Sequence, residues 1–340
     1  MNGYISIVFL LGVFGALLNG EKWKMRMGAK MEGSRLGRFP QLQALTLTSS
    51  LLVGMLVLLL SGCSGAEPET APLRIGVLPI LDALPLYVAE SEGFFAEAGV
   101  QVTLIPGASA AERDQLLQAG QLDVGVRYAM QGTSTAPQFR ILAAGNTDIT
   151  TPEQLHGIQR GVSQGMVIES VTERLLMAEG LAATEIKVLA VLRIPERLAL
   201  LGAGQISAAP LPEPLASPAV QQGAQVILGD THHPQYSCSV FAFRSEVITA
   251  QPEMVRGFLT AIERASSRIN ADKARWDGGL LSAQKLVLPV VLGAYTLPDY
   301  SGAEAPTQEQ FKDVALWLRE KGLINVDGEY TEVIDDNFLL

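Results

Sequence analysis

The stretch Leu73–Gly107, LRIGVLPILDALPLYVAESEGFFAEAGVQVTLIPG, decides the fold class of this 340-residue chain. Its apolar run Leu73–Leu78 predicts a buried strand, and apolar residues at helical spacing over Leu84–Ala98 predict a helix that ends at Gly99. Val100–Ile105 then alternates as a second strand. A strand, a helix and a strand at this spacing predict a parallel pair joined by a crossover helix, so the fold class is α/β.

Two later stretches share a helix–glycine–strand pattern at an offset of 84 residues (196 − 112). ERDQLLQAGQLDVGV spans 112–126, and ERLALLGAGQISAAP spans 196–210. In each stretch we predict a helix that ends at a glycine and is followed by a buried strand. Two interpretations are open: the chain has two lobes with the same local architecture, or such units resemble one another in any α/β chain.

The order of the predicted elements divides the body of the chain into two lobes. Strands at Leu122–Val126 and Arg140–Ala144 would complete the first sheet, and a new unit begins near Thr151. After that unit the chain returns to a strand at Ser239–Phe243. We therefore predict two α/β lobes with mainly parallel sheets, joined by a hinge that the chain crosses twice. The predicted boundaries are 73–150 plus 231–340 for lobe one and 151–230 for lobe two.

Charge is distributed unevenly along the chain. Residues 1–62 contain six lysines and arginines and two acids, a charge of +4, which leaves −14 for the rest of a chain whose formal net charge is −10. Nucleic-acid binding needs a basic face for the phosphates. The acidic body therefore argues against a nucleic-acid partner.

The N-terminal segment has the order of a secretory signal. Basic residues precede an apolar run at Leu45–Leu60, and small residues follow it. Leu60-Ser61-Gly62-Cys63 resembles the lipobox of bacterial lipoproteins, which implies a signal peptide over 1–62, cleavage before Cys63 and acylation of its thiol, with palmitate as the expected chain. Residues 63–72 would then be the lipidated cysteine and a polar tether. The alternative is a plain membrane anchor that ends near an unrelated cysteine.

A second apolar run, Ile5–Leu18, is short for a membrane span. If translation starts instead at Met25, Met27 or Met31, the signal has an ordinary length. A second membrane segment is the alternative interpretation.

Several motifs, in order, resemble the substrate-binding proteins of ABC importers, in the group that handles nitrate, sulfonates, taurine and thiamine-pyrimidine precursors. Leu73–Gly107 is similar to their first β-α-β unit. The other similar motifs are QAGQLDVGV (118–126), VIESVTERLLMAEGL (167–181), LPEP (211–214), PEMVRGFLTAIERA (252–265) and ALWLREKGLI (315–324).

The resemblance implies a periplasmic-binding-protein fold, type II-like, in which hinge closure traps a small molecule in the cleft between the lobes, as in a Venus flytrap. It implies a monomer that delivers its ligand to an ABC permease with a separate ATPase subunit. Together with the lipobox it places the protein at the outer face of the cytoplasmic membrane. No cofactor, no metal and no enzymatic activity are expected.

The cleft of such a fold is lined by the ends of strands and the starts of helices. We expect the ligand to be bound after the first strand, after the third strand, at the start of the helix that follows Val162, in the LPEP loop and near the crossings. A helix start also offers backbone N–H groups to an anion or a polar head. The expected ligand-binding residues are Ile80, Asp82, Ala83, Leu84, Arg127, Tyr128, Asn146, Ser163, Gln164, Gly165, Met166, Val167, Leu211, Glu213 and Tyr236.

The charge of the ligand is left open by these residues. Arg127 can clamp a carboxylate or sulfonate, or it can form a rim ion pair with Asp82 or Glu213. Asp82, Glu169 and Glu213 favour a cationic or neutral heterocyclic ligand, although an acid such as Glu169 is also favoured in the first turn of any helix.

Other chemistry is less well supported. Gly161–Gly165, GVSQG, fits the nucleophile elbow of hydrolases, but the strand before it is short and polar, whereas a hydrolase strand is apolar. Two cysteines and three histidines give no metal-ligand pattern. The alternatives to a receptor are an enzyme on the same fold, similar to a menaquinone-pathway dehydratase, and an envelope sensor without transport.

Overall fold

The computed structural model describes two separate N-terminal residues and most of the chain from residue 71 onward. The described residues are 8–9, 71–127, 136–233, 236, 240–276, 295–300, 302, 304–325 and 328–339. The predicted signal peptide apart from residues 8–9, the lipidation site Cys63 and almost all of the tether lie outside them, as does Tyr128. Strand β1, Val8–Phe9, pairs antiparallel with β11, Ile334–Asp335.

The first sheet has four strands in the order β10-β4-β2-β3. Strand β2 pairs parallel with β3 and β4, and β10 pairs antiparallel with β4, which confirms the predicted β-α-β-α-β opening. The strands are β2 (Leu73–Val77), β3 (Val102–Pro106), β4 (Val124–Arg127) and β10 (Val240–Phe243), and the helices between them are α1 (Leu84–Ser91), α2 (Phe94–Glu97) and α3 (Ala110–Gln118).

The helix predicted over Leu84–Ala98 is interrupted. Helix α1 ends at Ser91, and Gly93 has a φ of 78°, so α2 starts afresh at Phe94. A left-handed glycine ends one helix and re-aims the next. The apolar spacing continued across the break because both short helices cover the same sheet.

Helix α8, Pro252–Ala271, covers the first sheet with its apolar side. The ring of Phe258 stacks on Phe95 at 5.6 Å between centroids and meets Phe241 and Phe243 edge-on at 5.1 and 5.4 Å. Edge-to-face and offset rings are favourable aromatic geometries. Two shorter helices, α7 (Ser245–Ala250) and α9 (Lys273–Trp276), flank α8 in the chain.

The second sheet has five strands in the order β7-β6-β8-β5-β9. Strand β6 pairs parallel with β7 and β8, whereas β5 pairs antiparallel with both β8 and β9. The strands are β5 (Phe139–Ala143), β6 (Gln159–Val162), β7 (Lys187–Ala190), β8 (Ala208–Pro212) and β9 (Gln225–Gly229), and the helices are α4 (Val167–Ala178), α5 (Ile194–Gly202) and α6 (Ala216–Gln221).

Strand β5 corrects the predicted boundary between the lobes. It was expected in lobe one, over 73–150, but it lies between β8 and β9 of the second sheet. The chain therefore crosses to the second sheet before Phe139 and not after residue 150. A central strand reads as a short apolar run in either sheet, so its sequence gives no sign of which sheet it joins.

The C-terminal segment, which was predicted as part of lobe one over 231–340, also contacts the second lobe. Helix α10, Gln308–Glu320, contacts α4 of the second lobe, since the guanidinium of Arg174 donates to both carboxylate oxygens of Asp313 at 2.8 and 2.9 Å. The indole of Trp317 donates to Glu173 Oε2 at 2.7 Å. The same helix also packs against the first lobe, where Phe311 contacts the cluster of Val240 and Ile334, and Phe338 joins the core around Phe258.

The two repeated stretches do adopt the same local structure. In the first, α3 is followed by Gly120 (φ 68°) and β4, and in the second, α5 is followed by Gly204 (φ 66°) and β8. The pattern therefore marks one equivalent unit in each lobe. Among the described residues no helix is long and apolar enough to cross a membrane.

Candidate functional site

The two lobes contact each other through the loops after β2 and β3 of the first lobe and after β7 and β8 of the second. The backbone N–H of Leu81 donates to the carbonyl of Glu213 at 3.2 Å, and that of Ile194 donates to Ala108 at 3.3 Å. Leu78 and Ile80, which follow β2 of the first lobe, pack into the core of the second. The predicted cleft residues after the first strand therefore do lie at the junction of the lobes.

Glu213 is fixed within the second lobe. Its side chain is 1% exposed, and Oε1 lies 3.1 Å from Nη2 of Arg140 and accepts from the hydroxyl of Ser217 at 2.9 Å. Oε2 accepts from the backbone N–H of Ser217 at 3.1 Å. Burial raises the pKa of Glu213, and Arg140 and Ser217 offset that rise only partly. Within the described part of the chain, the carboxylate of Glu213 thus holds the LPEP loop and Arg140.

Asp230 was not among the expected site residues, and it connects the two crossings. It directly follows β9 and is fully buried, and Oδ1 accepts from the backbone N–H of Gln138 at 3.2 Å, just before β5. Oδ2 has no hydrogen-bond partner in the part of the chain that the structure describes. Burial raises the pKa of Asp230 to about 7; hydrogen bonds from the Phe139 and Gln138 amides lower it, and the charge of Asp82 raises it further.

Asp82 lies in the single 3-10 turn Leu81–Ala83 after β2 and is 7% exposed. Its charge reaches both Asp230 and the buried phenol of Tyr300, whose pKa is raised chiefly by burial and also by Asp82. The phenol donates to the carbonyl of Leu81 at 2.9 Å and so supports the turn. We refer to Asp82, Gln138, Arg140, Glu213 and Asp230 as the hinge cluster.

The start of α4 is already satisfied by groups of this chain. The backbone N–H of Gly165 donates to Glu169 Oε2 at 2.7 Å, and Oε1 of Glu169 accepts from Lys321 of the C-terminal segment at 3.0 Å. Ser163 donates its hydroxyl to the carbonyl of Leu192 at 2.9 Å and accepts from Arg197 at 2.8 Å. An internal carboxylate therefore takes the anion position expected here. Within the described residues Ser163 is bonded to Leu192 and Arg197 and has no histidine partner of the kind that a nucleophile elbow needs.

The other expected site residues are dispersed. Ala83 and Leu84 belong to the first core, and Ile80 and Leu211 to the second. Gln164 is exposed, and Gly165, Met166 and Val167 are half-buried.

Asn146 lies at the far end of the second sheet, where its amide closely approaches the Cα of Gly204. Strand β5 runs antiparallel to β8, so its C-terminal end points away from the junction. Tyr236 lies 6.2 Å from the ring of His233, whose Nε2 is 2.7 Å from Glu179 Oε1. At Arg127 the backbone pairs with Val240 at the end of β4.

Of the hinge cluster, Asp82 and Glu213 were among the residues expected from the sequence, whereas Gln138, Arg140 and Asp230 were not. The signal for Asp230 was the position of an acid directly after the apolar end of β9. Within the described ranges, no group of three His, Cys, Asp or Glu residues is placed to hold a metal ion.

Comparison with solved structures identifies the fold. The ligand-binding component of an ABC-type import system from Staphylococcus aureus, with zinc bound, superimposes with a TM-score of 0.64 at 13% identity, covering 79% of this chain and 98% of that one. The alkanesulfonate-binding protein SsuA from Xanthomonas axonopodis pv. citri, bound to MOPS, gives 0.63 at 17% identity over 80% and 99%. The aliphatic sulphonate binding protein SsuA of Escherichia coli gives 0.63 at 17% identity over 79% and 99%.

These likenesses confirm a periplasmic-binding-protein fold with two lobes of mostly parallel strands. None of the curated protein sequences matches this chain significantly. The model of the NMT1-like family matches residues 66–277, well over half of the chain. This chain is therefore a member of the NMT1-like family, with the fold of ABC-importer solute-binding proteins.

Proposed function

We propose that this protein is an extracytoplasmic solute-binding lipoprotein, which captures a small molecule between its lobes and delivers it to the permease of an ABC importer. The observation that carries the proposal is the hinge cluster: buried polar groups from both lobes meet where the chain crosses between them. In two-lobed receptors of this fold a ligand at that position contacts both lobes and favours closure.

The lipid anchor rests on the order of features before residue 64. A basic segment, an apolar run and Leu60-Ser61-Gly62-Cys63 support cleavage before Cys63 and acylation of its thiol. The chain would be held at the outer face of the cytoplasmic membrane as a monomer, next to a permease and a separate ATPase.

An enzyme on the same fold is the second candidate, because the desulfurization enzyme DszB superimposes with a TM-score of 0.53 at 13% identity, over 74% of this chain and 93% of that one. A desulfurase-like or dehydratase-like activity would change the ligand chemically, whereas a receptor releases it intact. An envelope sensor would bind its ligand without a permease.

One preparation tests these alternatives. The full chain is expressed in a bacterial host and extracted from membranes in detergent, and the mass of its N-terminal peptide reports processing and acylation at Cys63. The melting temperature is then recorded with a broad solute set. A solute at 100 times its dissociation constant stabilises the folded state by about 2.7 kcal/mol, which shifts the melting temperature by a few degrees. No shift with any solute contradicts the receptor, and conversion of a bound solute favours the enzyme.

A further inference from the structure

Helix α10 meets α4 of the second lobe with residues at every fourth position. Asp313, Trp317 and Lys321, the last of which is the C-cap, lie on one side of α10 because they are four residues apart. Glu169 and Glu173 share one side of α4 in the same way. The two rows meet in opposite chain directions, in the pairs Asp313–Arg174, Trp317–Glu173, Lys321–Glu173 and Lys321–Glu169, which we call the α10–α4 contact.

The α10–α4 contact is complementary in charge and mostly buried. Trp317 is 2% exposed and Glu169 is 1% exposed. The ammonium of Lys321 donates to Oε1 of Glu169 at 3.0 Å and also to Oε1 of Glu173. Burial lowers the pKa of Lys321, but its hydrogen bonds to Glu173 and Glu169 and their charges outweigh burial and raise the pKa. Removing this ammonium would take the counter-charge from two largely buried carboxylates, which is strongly unfavourable.

The chain on both sides of α10 is anchored in the first lobe. Before the helix, Tyr300 belongs to the core around Phe258, and after the helix Phe338 belongs to the same core. Phe311 of α10 itself packs against apolar residues of β10 and β11 and meets the ring of Tyr330 edge-on at 5.7 Å. Helix α10 is therefore an element of the first lobe that reaches across to α4 of the second.

The α10–α4 contact holds the lobes at a place other than the crossings. The chain crosses between the sheets from β4 to β5 and from β9 to β10, and neither α10 nor α4 lies in those segments. A hinge movement that separates the lobes must therefore break this contact or slide one helix along the other. A contact made in one arrangement of the lobes shifts the equilibrium towards that arrangement.

We propose that α10 is an interlobe clamp, which holds α4 against the first lobe when no solute is bound and is released when the lobes separate. The inference goes beyond the receptor function, because a two-lobed enzyme would use the clamp in the same way. The clamp also reaches the loop at the start of α4, where ligand contacts are expected: Glu169 accepts from the N–H of Gly165 with one carboxylate oxygen and from Lys321 with the other.

The test uses the ligand-free, full-length protein in detergent and needs no solute. The chain has three tryptophans, so in the background Trp23→Phe and Trp276→Phe the acrylamide quenching of Trp317 reports exposure of the contact. Small-angle neutron scattering with contrast-matched detergent gives the radius of gyration, which reports separation of the lobes.

Three variants in this background separate the clamp from other effects of charge. Asp313→Lys places a like charge opposite Arg174, and we expect quenching to rise about twofold and the radius of gyration to increase. Adding Arg174→Glu restores opposite charges and should return both readouts towards the starting values. The control is Glu97→Lys, which reverses the charge of an exposed acid 2.6 Å from Arg264 within the first lobe and should change neither readout.

Every other pattern overturns the clamp. Greater quenching at an unchanged radius of gyration would show that α10 detaches without separation of the lobes. No change in Asp313→Lys, an equal change in Glu97→Lys, or no recovery on adding Arg174→Glu would each contradict the proposal. If Asp313→Lys does not fold by circular dichroism, Lys321→Met takes its place, with Lys321→Arg as the variant that restores the charge. These results do not involve a solute, so failure of the clamp leaves the receptor function standing, and failure to bind any solute leaves the clamp standing.

Discussion

Asp230 is predicted to destabilise the empty protein at neutral and alkaline pH. Its pKa is about 7 in the folded state, against an ordinary value of 3.8, because burial disfavours the charged form. Folded protein therefore holds this proton between about pH 4 and 7, where unfolded protein has lost it. The free energy of unfolding should fall as the pH rises through that window.

The magnitude follows from the difference of about three pH units, each equivalent to 1.36 kcal/mol. Ionised Asp230 should thus cost the empty protein up to about 4 kcal/mol above pH 7. Asp230→Asn keeps an oxygen for the Gln138 amide and removes the charge, but it buries an amide N–H that costs about 1–3 kcal/mol if it stays unpaired. We expect the variant to be more stable than wild type by about 2 kcal/mol at pH 8 and no more stable at pH 4.

The assay is urea denaturation of ligand-free wild type and Asp230→Asn from pH 4 to 8.5, with the difference between the two proteins plotted against pH. Taking the difference removes the titration of every group that the substitution does not affect. A difference that stays constant with pH would refute the reasoning, because Asp230 would then titrate alike in folded and unfolded protein. A variant less stable at pH 8 by 1 kcal/mol or more would show that the ionised carboxylate is satisfied.

Three further changes probe the same structure. Asp123→Asn should have the opposite pH dependence. Burial raises the pKa of Asp123, but the hydrogen bonds from Arg74 at 2.8 and 2.7 Å and the charge of Arg74 outweigh burial and lower the pKa below 3.8. Asp123 therefore stabilises the wild type by about 1–2 kcal/mol above pH 4 and loses this effect as the pH falls further, which urea denaturation of the two proteins measures. Glu213→Gln should destabilise by about 3 kcal/mol at pH 7, because it leaves Arg140 unpaired, and Glu196→Gln is the control. Phe258→Ala should cost about 3–5 kcal/mol in the same assay because it empties the aromatic cluster between α8 and the first sheet, and a loss under 1 kcal/mol would contradict that packing.

Local signals in the sequence predicted local structure well. Ser109 does cap α3 by accepting from the Glu112 amide at 3.1 Å, and Thr307 does begin α10 with Gln310 completing the capping box. Capping depends on residues three positions apart, so it can be read without knowing the tertiary structure.

The assignment of elements to lobes could not be read in the same way. Strand β5 has the apolar pattern of a central strand, and both sheets have such strands. Helix α10 contacts the second lobe through Asp313 and Trp317, which meet Arg174 and Glu173 about 140 residues earlier in the chain. Non-local pairing depends on which edges and faces remain open, and this information is spread over the whole chain.

Asp230, which was not expected from the sequence, connects the two crossings, and its neighbours in sequence do not reveal this role. Asp230 begins the return crossing and accepts from an amide at the end of the first crossing, so it ties both connections to one carboxylate. A buried acid with an unused oxygen lowers the stability of the protein once it ionises. The charge of Asp82, which belongs to the first lobe, acts on this carboxyl group, so ionised Asp230 places like charges from both lobes at the crossings.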